Sequence, residues 1–495
     1  NKADKIIGYD LTNTLAKEKG KYRAVKSLLL SGLVYVVGDG YTDYQIKQLG
    51  AAKYFISFTE NVTRLPIVDK ADAVAPNLDE FLYVHQLPTS LSYPKNRIRA
   101  LLLENISQEA VKKFKQEGYQ VEQCPKPLSD NELMAKIHDC SILGIRSKTQ
   151  LNREILKLAH HLISIGAFCI GTEQIDLKIA SEKGVAVFNA PYSNTRSVVE
   201  LILGEIIILS RQISDKNIKL HQGVWDKTAT DAHEIRRKTL GIIGYGNIGS
   251  QLSVTAESLG MKVLFYDKVD KLALGTATKC VSLKRLLSQS DIVSVHIDGS
   301  PENKNFVGAK EFAFMKAGAI FLNASRGFVV DIQALSKNIR SGKIKGAAIV
   351  VFPNEPKSNG DLFKCQLQNL PNIILTPHIG GSTEEAQTNV GQFVSEKIID
   401  YINTGNTTLS VNFPNIQLPR MNHVHRFLHI HNNVPGILAQ INGVLAQNNI
   451  NIEGQYLKTN DTIGYVITDV NKKYDHHVLN LLKQIPQTIK FRVIY

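Results

Sequence analysis

Cysteine is scarce in this sequence, and what there is follows no pattern. Cys124, Cys140, Cys169, Cys280 and Cys365 are odd in number, scattered, and contain no C-x-x-C pair. That argues against both a disulfide framework and a zinc site. Thiols of this kind fit a reducing compartment, so a cytoplasmic location is expected. A membrane-length apolar run is missing near the start: "LLLSGLVYVV" at 28 to 37 is short and broken by Ser31 and Gly32, and "NKADK" at the beginning lacks a signal-peptide core. Internal repeats and low-complexity tracts are also lacking. Lys and Arg total 58 against 45 Asp and Glu, a formal charge of +13. They form no basic block and have no interleaved aromatics, so neither nucleic acid nor a membrane surface is an expected partner. A positive field of this kind suits small phosphorylated acids and anionic cofactors.

At 495 residues with 43% apolar content, the chain is too long for one core and should hold three or four domains. Residues 21 to 46 read helix, strand, turn, helix. Polar, proline-bearing "HQLPTSLSYPKN" at 85 to 96 reads as a linker. From 97 onward strands and helices alternate, the pattern of a parallel sheet with crossover helices, and the alternation resumes after 239. A second break at 412 to 423 precedes a small unit ordered strand, helix, strand, strand, helix, strand, as in ferredoxin-type sandwiches.

"GIIGYGNIG" sets Gly244, Gly246 and Gly249 between a hydrophobic strand and a helix, with Asn247 and Ile248 inside the loop and Asp267 closing the next strand. The first glycine permits a tight turn, the second lets backbone approach a pyrophosphate, and the third lets helix pack on strand. Asp267 would bind the adenosine ribose hydroxyls and repel a 2′-phosphate, which selects NAD over NADP. In "GAAIVVFPNEP" an apolar run from Ala347 to Phe352 reads as a buried strand, and Glu355 between two prolines is an aimed carboxylate. An exposed turn after a strand is the plainer reading of those residues alone.

The stretches "GIRSKT", "FCIGTEQIDL", "FNAPYSNTRSVVEL", "GIIGYGNIG", "NASRGFVVD", "VFPNEP" and "TPHIGGST" together resemble the D-isomer-specific 2-hydroxyacid dehydrogenases, over about 97 to 495, and within them the phosphoglycerate-oxidising branch. The resemblance implies NAD-dependent oxidation of 3-phosphoglycerate, the first step of serine synthesis. It also implies Arg326 as the clamp on the substrate carboxylate, His378 as the acid/base, and Glu355 as its carboxylate partner. Chemistry supports each role: histidine titrates nearest neutrality, a carboxylate on its far nitrogen stabilises the imidazolium, and arginine holds a carboxylate through paired hydrogen bonds. Only the resemblance implies that the three meet. Arg146, Ser147 and Lys148 are the implied phosphate site. Asn189, Ser193, Asn194 and Arg196 lie at the crossing between lobes, or cap a helix start there. Departures from the family are Lys148 in place of Arg, Val350 in place of Asp, and Glu173 in place of Asn.

The expected class is α/β: two Rossmann-like lobes, a C-terminal ferredoxin-like ACT domain and an N-terminal partial haloacid-dehalogenase-like segment. The expected boundaries are 1–82 for that segment, 97–193 with 386–411 for the substrate lobe, 194–385 for the NAD lobe and 424–495 for the ACT domain. "LHIHNNVPGILAQINGVLAQNNINI" resembles the start of an ACT domain, which binds amino acids at a paired interface. His431, Asn433 and Asn451 match positions that hold L-serine, and a homo-oligomer, dimer or tetramer, follows. The family's Gly-Gly hinge is replaced by Met421 and Asn422. Residues 1 to 82 resemble the C-terminal portion of a phosphoserine phosphatase, with Lys19 toward phosphate and vestigial metal-site residues Asp39 and Asp43. Its nucleophile motif is missing, since "YDLTNT" has Asp10 but Thr12, so no phosphatase activity and no functional metal are expected. The competing readings are a dehydrogenase for another acid such as 2-hydroxyglutarate, which would need Arg146 and Lys148 less, and an amino-acid sensor on a decayed enzyme.

Overall fold

The computed structural model describes residues 12–59, 62, 64–75, 95–356, 360–419, 424–470 and 476–494. Asp10, residues 85–94 of the linker, and Met421 and Asn422 lie outside them.

Two parallel sheets carry the middle of the chain. One has the spatial order Gln120–Cys124, Arg99–Leu103, Ile142–Ile145, Ser164–Ala167 and Ala186–Phe188. The other has seven strands, ordered Thr278–Lys279, Lys262–Tyr266, Thr239–Ile243, Ile292–Val295, Ala319–Asn323, Ile344–Ile349 and Ile373–Leu375. Their central strands are buried along their length and apolar except for Ser294 and Asn323, because helices cover both faces. In the larger sheet the chain starts at Thr239–Ile243, winds one way, then returns to the other side of that strand. That reversal opens a crevice at the carboxyl ends of the strands, where doubly wound folds bind ligands.

The apolar run at 347 to 352 is strand only in part. The ladder strand is Ile344–Ile349, and Val350 to Phe352 are buried but leave it. The neighbouring strand stops at Leu375, and the Phe352 N–H turns to the Glu355 carboxylate at 3.0 Å.

The C-terminal unit is a four-stranded antiparallel sheet ordered Ile452–Thr459, Ile463–Val470, His425–Asn432 and Thr488–Ile494. Helices Ile437–Gln447 and His476–Lys483 cover one face, with Ile441, Leu445, Val478 and Leu482 packed against Phe427 and Val466. Side chains alternate across strands, so Leu428, Ile430, Tyr465 and Ile467 point the other way. They join one core with Ala100, Phe114, Phe188 and Tyr401 of the five-stranded unit. Gly405 ends helix Glu384–Thr404 at φ +78, and a Cβ there would stand 2.5 Å from Leu428. Glycine therefore serves both the left-handed turn and the close approach. The Tyr465 hydroxyl donates to the Gly405 carbonyl at 2.7 Å.

A buried ion pair pins the same junction. Arg426 and Asp469 are 5% and 4% exposed, and the guanidinium meets the carboxylate at 2.7 and 2.8 Å. Its remaining N–H groups donate to the carbonyls of Thr404 and Pro419. Asp469→Ala should therefore strand a buried cation and cost about 3–5 kcal/mol. Chemical denaturation would read this, and a midpoint shift under 1 kcal/mol (about the worth of an exposed pair) would show the pair to be dispensable.

At the N-terminal side, Tyr35–Gly38, Tyr54–Phe58 and Ala73–Ala75 form a three-stranded parallel sheet. Among the described residues no helix is long and apolar enough to cross a membrane.

Candidate active site and effector region

The glycine loop fits a dinucleotide on three independent counts. Gly244 sits at φ +91, where a Cβ would stand 2.4 Å from the His296 carbonyl oxygen. A Cβ on Gly249 would meet the Gly244 carbonyl at 2.2 Å, whereas one on Gly246 would meet nothing within 4 Å. The first and third glycines are thus required by packing, and the second leaves an open face. Gly246 caps helix Asn247–Ser258 without a side-chain bond, so the N–H groups and positive dipole of that first turn, which includes Asn247, Ile248 and Gly249, are free for an anion. Asp267 lies across the loop: its carboxylate accepts from the Tyr245 N–H at 2.8 Å and the Val269 N–H at 2.9 Å.

Arg326, Glu355 and His378 come from three separate strand ends and gather at the same crevice. Asn323, fully buried, donates to the Arg326 carbonyl at 3.1 Å while its own oxygen accepts from Ser325. The loop carrying the arginine is therefore built from its strand outward. His378 takes a left-handed backbone, φ +54, fixed by bonds from its N–H to the carbonyls of Val350 and Thr376 at 2.8 and 2.9 Å. A non-glycine residue held there is strained in the way functional residues often are. Val350, 1% exposed, is thus a backbone anchor for the histidine.

His378 Nδ1 stands 2.8 Å from Glu355 Oε2. An ionised carboxylate can only accept, so Nδ1 carries the hydrogen and Nε2 is left to exchange protons. Burial acts to raise the Glu355 carboxyl. It is outweighed by the hydrogen bonds from His378 and the Phe352 N–H and by the charges of His378 and Arg326, so the carboxyl lies below its ordinary 4.5. The prolines around Glu355 and the bond to its own loop hold it ready.

Arg146, Ser147 and Lys148 follow strand Ile142–Ile145, the first half-buried and the other two exposed. Their loop is held by a residue that motif reading passes over. Glu104, 6% exposed, accepts from the N–H groups of Lys148 and Thr149 at 3.0 and 2.8 Å. Glu104 and Asn105 both take positive φ, a turn that "LLLENIS" does not announce. The link onward runs through Gln174, which donates to the Arg146 carbonyl at 2.7 Å, and its neighbour Glu173, which contacts Arg326.

Asn189 donates to the Ile170 carbonyl at 2.5 Å. Asn194 occupies the cap position of helix Thr195–Arg211 without capping it through its side chain. Arg196 pairs with Glu200 on the helix surface, and Ser193 is partly exposed.

The positions expected to hold an effector are not brought together within the chain: His431 and Asn433 lie at the end of the antiparallel sheet where Asn432 pairs with Ile463, and Asn451 lies at the opposite end, beside Ile452, which pairs with Val470. His431 is 2% exposed, its ring lying over Gly464, its Nδ1 2.7 Å from the Asn432 carbonyl and its Nε2 buried without a partner among the described residues. Asn433 and Asn451 are exposed; one donates to the Asn460 carbonyl at 2.8 Å and the other to Glu453 at 3.3 Å. In the N-terminal unit, Asp43 is buried and pairs with Lys21 at 2.6 Å, while Asp39 faces Arg64 at 3.6 Å. The lysine against Asp43 is Lys21, not Lys19, which precedes helix Gly20–Ser27 in a left-handed turn. Among the described residues no three His, Cys, Asp or Glu side chains gather as a metal site.

A doubly wound sheet with this glycine loop and a Glu–His pair beside an arginine defines a nicotinamide-dependent dehydrogenase of 2-hydroxy acids. Residues 203–380 match the family model for the NAD binding domain of D-isomer specific 2-hydroxyacid dehydrogenases, and 427–490 match an AHAS small subunit-like ACT domain. The structure of D-lactate dehydrogenase with NAD+ from Lactobacillus jensenii is similar, at 26% identity and a TM-score of 0.56, over 63% of this chain and 99% of that one. D-3-phosphoglycerate dehydrogenase of Dictyostelium discoideum is 48% identical over 408 residues, 82% of this chain and 100% of its own length. That of Escherichia coli K12 is 46% identical over 408 residues, covering 82% and 99%. The chain belongs to the D-3-phosphoglycerate dehydrogenase family.

The depressed Glu355 carboxyl has a consequence for stability. A group whose folded pKa lies below its unfolded value contributes stability above the unfolded value, and that stability is lost as pH falls through the folded one. Thermal unfolding followed downward from pH 4.5 should thus fall less steeply for Glu355→Gln than for the parent. Identical slopes would show that His378 and Phe352 do not hold the ionised form.

Proposed function

We propose that this chain oxidises 3-phospho-D-glycerate to 3-phosphohydroxypyruvate with NAD, opening L-serine biosynthesis in the cytoplasm, and that it works as a homo-oligomer restrained by L-serine. The observation that carries the reading is the His378–Glu355 hydrogen bond beside Arg326, at the strand edge where the Gly246 loop opens.

Gly244, Gly246, Asn247, Ile248 and Gly249 would hold the cofactor pyrophosphate at the helix start, and Asp267 the ribose. When bound, NAD supplies the hydride acceptor. Arg326 grips the substrate α-carboxylate and orients the C2 hydroxyl. His378 Nε2 takes the hydroxyl proton as the C2 hydrogen departs, and Glu355 stabilises the imidazolium that results. In the reverse direction His378 returns the proton. Arg146, Ser147 and Lys148 give the phosphate two cationic heads and a hydroxyl, a set matched to a dianion. The N-terminal unit is read as phosphatase-like, supported by its three-stranded parallel sheet.

NADH absorbance should rise when 3-phosphoglycerate and NAD are supplied. His378→Ala should lower kcat by roughly 10²- to 10⁴-fold, the worth of general acid/base catalysis, with NAD affinity nearly intact. A His378→Ala protein turning over at the parental rate would remove histidine from the reaction.

For the effector, L-serine at one hundred times its Kd should raise stability by about 2.7 kcal/mol. Asn433→Ala or Asn451→Ala should abolish that gain. Thermal scans of the full chain check this, and a parent unmoved by serine would count against the sensor.

A further inference from the structure

The substrate clamp is already engaged by a side chain of its own protein. Arg326 donates from Nε and Nη2 to one oxygen of Glu173, at 3.2 and 3.1 Å, while its Nη1 donates to the Ser325 carbonyl at 3.0 Å. The Nε/Nη2 edge is the fork with which arginine binds carboxylates in parallel. Glu173 therefore covers one of the edges that a 2-hydroxy acid would use. The two residues come from different lobes: Arg326 follows strand Ala319–Asn323, and Glu173 lies between strand Ser164–Ala167 and helix Leu177–Glu182.

The slot around the pair is shaped for it. A Cβ on Gly171 would stand 2.1 Å from Glu173 Oε2 and 2.9 Å from Arg326 Nη2, and one on Gly299 would stand 2.7 Å from Glu173 Oε1. Backbone from both lobes thus comes close to the carboxylate, and a Cβ at either glycine would push the flexible end of Glu173 aside. The pair is also releasable. The Glu173 side chain is 54% exposed and that of Arg326 28%, so water can take the carboxylate back at small cost.

We propose that Glu173 is an internal competitor for substrate: its carboxylate occupies the Arg326 fork in the resting protein, bridges the two lobes, and must swing out before the substrate carboxylate can seat. This rests on the reading of Arg326 as the carboxylate seat. Glu173 is a specificity-determining residue here, since it raises the threshold for any carboxylate entering the cleft and adds a negative charge where a phosphorylated acid brings several. Gln174 next to it is buried and bonded to the Arg146 carbonyl, which ties the Glu173 turn to the phosphate loop.

The test uses the full chain loaded with NADH, with oxalate as a carboxylate probe that requires no turnover. Glu173→Gln, with Glu173→Asn as a second neutral variant, should tighten oxalate binding in calorimetry about two- to fivefold, the scale of a half-exposed ion pair. The KM for 3-phosphoglycerate should fall by a similar factor while kcat changes less. Oxalate affinity that is unchanged or weaker in the neutral variants overturns the proposal; weaker binding would make Glu173 a group that orients Arg326. A parent and variants that all fail to bind oxalate would overturn it too, by removing the seat. Tighter oxalate binding without turnover of 3-phosphoglycerate would support the competitor while sinking the substrate assignment.

Discussion

Seven parallel strands paired from Thr278 to Leu375 leave their carboxyl ends along one edge, and the backbone ladder between them sets where each following loop begins. Gly244, Asp267, Arg326, Glu355 and His378 all follow strands of that sheet. The register therefore decides the site: Ile349 pairs with Leu375 and with Asn323, which brings the loops of the arginine, the glutamate and the histidine side by side. Close packing of helices on both faces is what holds the register, since a one-residue slip would send every side chain to the opposite face and into a core shaped for others.

Two carboxylates in the crevice are held differently because their surroundings differ. Glu355 is stiffened by prolines, bonded to its own backbone and to His378, and kept ionised as a permanent partner. Glu173 sits half in water against Arg326, the residue proposed to seat the substrate carboxylate. A fixed charge stabilises an imidazolium without reorganising at the moment of reaction, whereas a loosely held one can be displaced.

The C-terminal unit is not loosely attached. Its sheet shares a core with the five-stranded unit, and Tyr465 and Arg426 bond to the end of helix Glu384–Thr404. That helix starts six residues beyond His378 and has 21 residues, so it spans about 30 Å as a rigid rod. A shift of the antiparallel sheet would therefore press on an element whose other end adjoins the His378 loop.

Much of this was legible in the residues. The glycine loop with its following acid, the alternation of strands and helices, and the proline-flanked glutamate are local patterns whose physics acts within a few residues. Glu104, Gln174 and Asn323 were not legible: each acts through hydrogen bonds to backbone that the fold brings near, and their side chains carry no mark of it. The same holds for Arg426 and Asp469, an ordinary pair of charges until burial makes each depend on the other. By itself the sequence determined which chemical groups exist and which strands and helices present them. Tertiary structure alone decided that residues 326, 355 and 378 share one crevice, and that Glu173 reaches Arg326 from the other lobe, because both proximities are set by sheet register and lobe packing, not by neighbours in the chain.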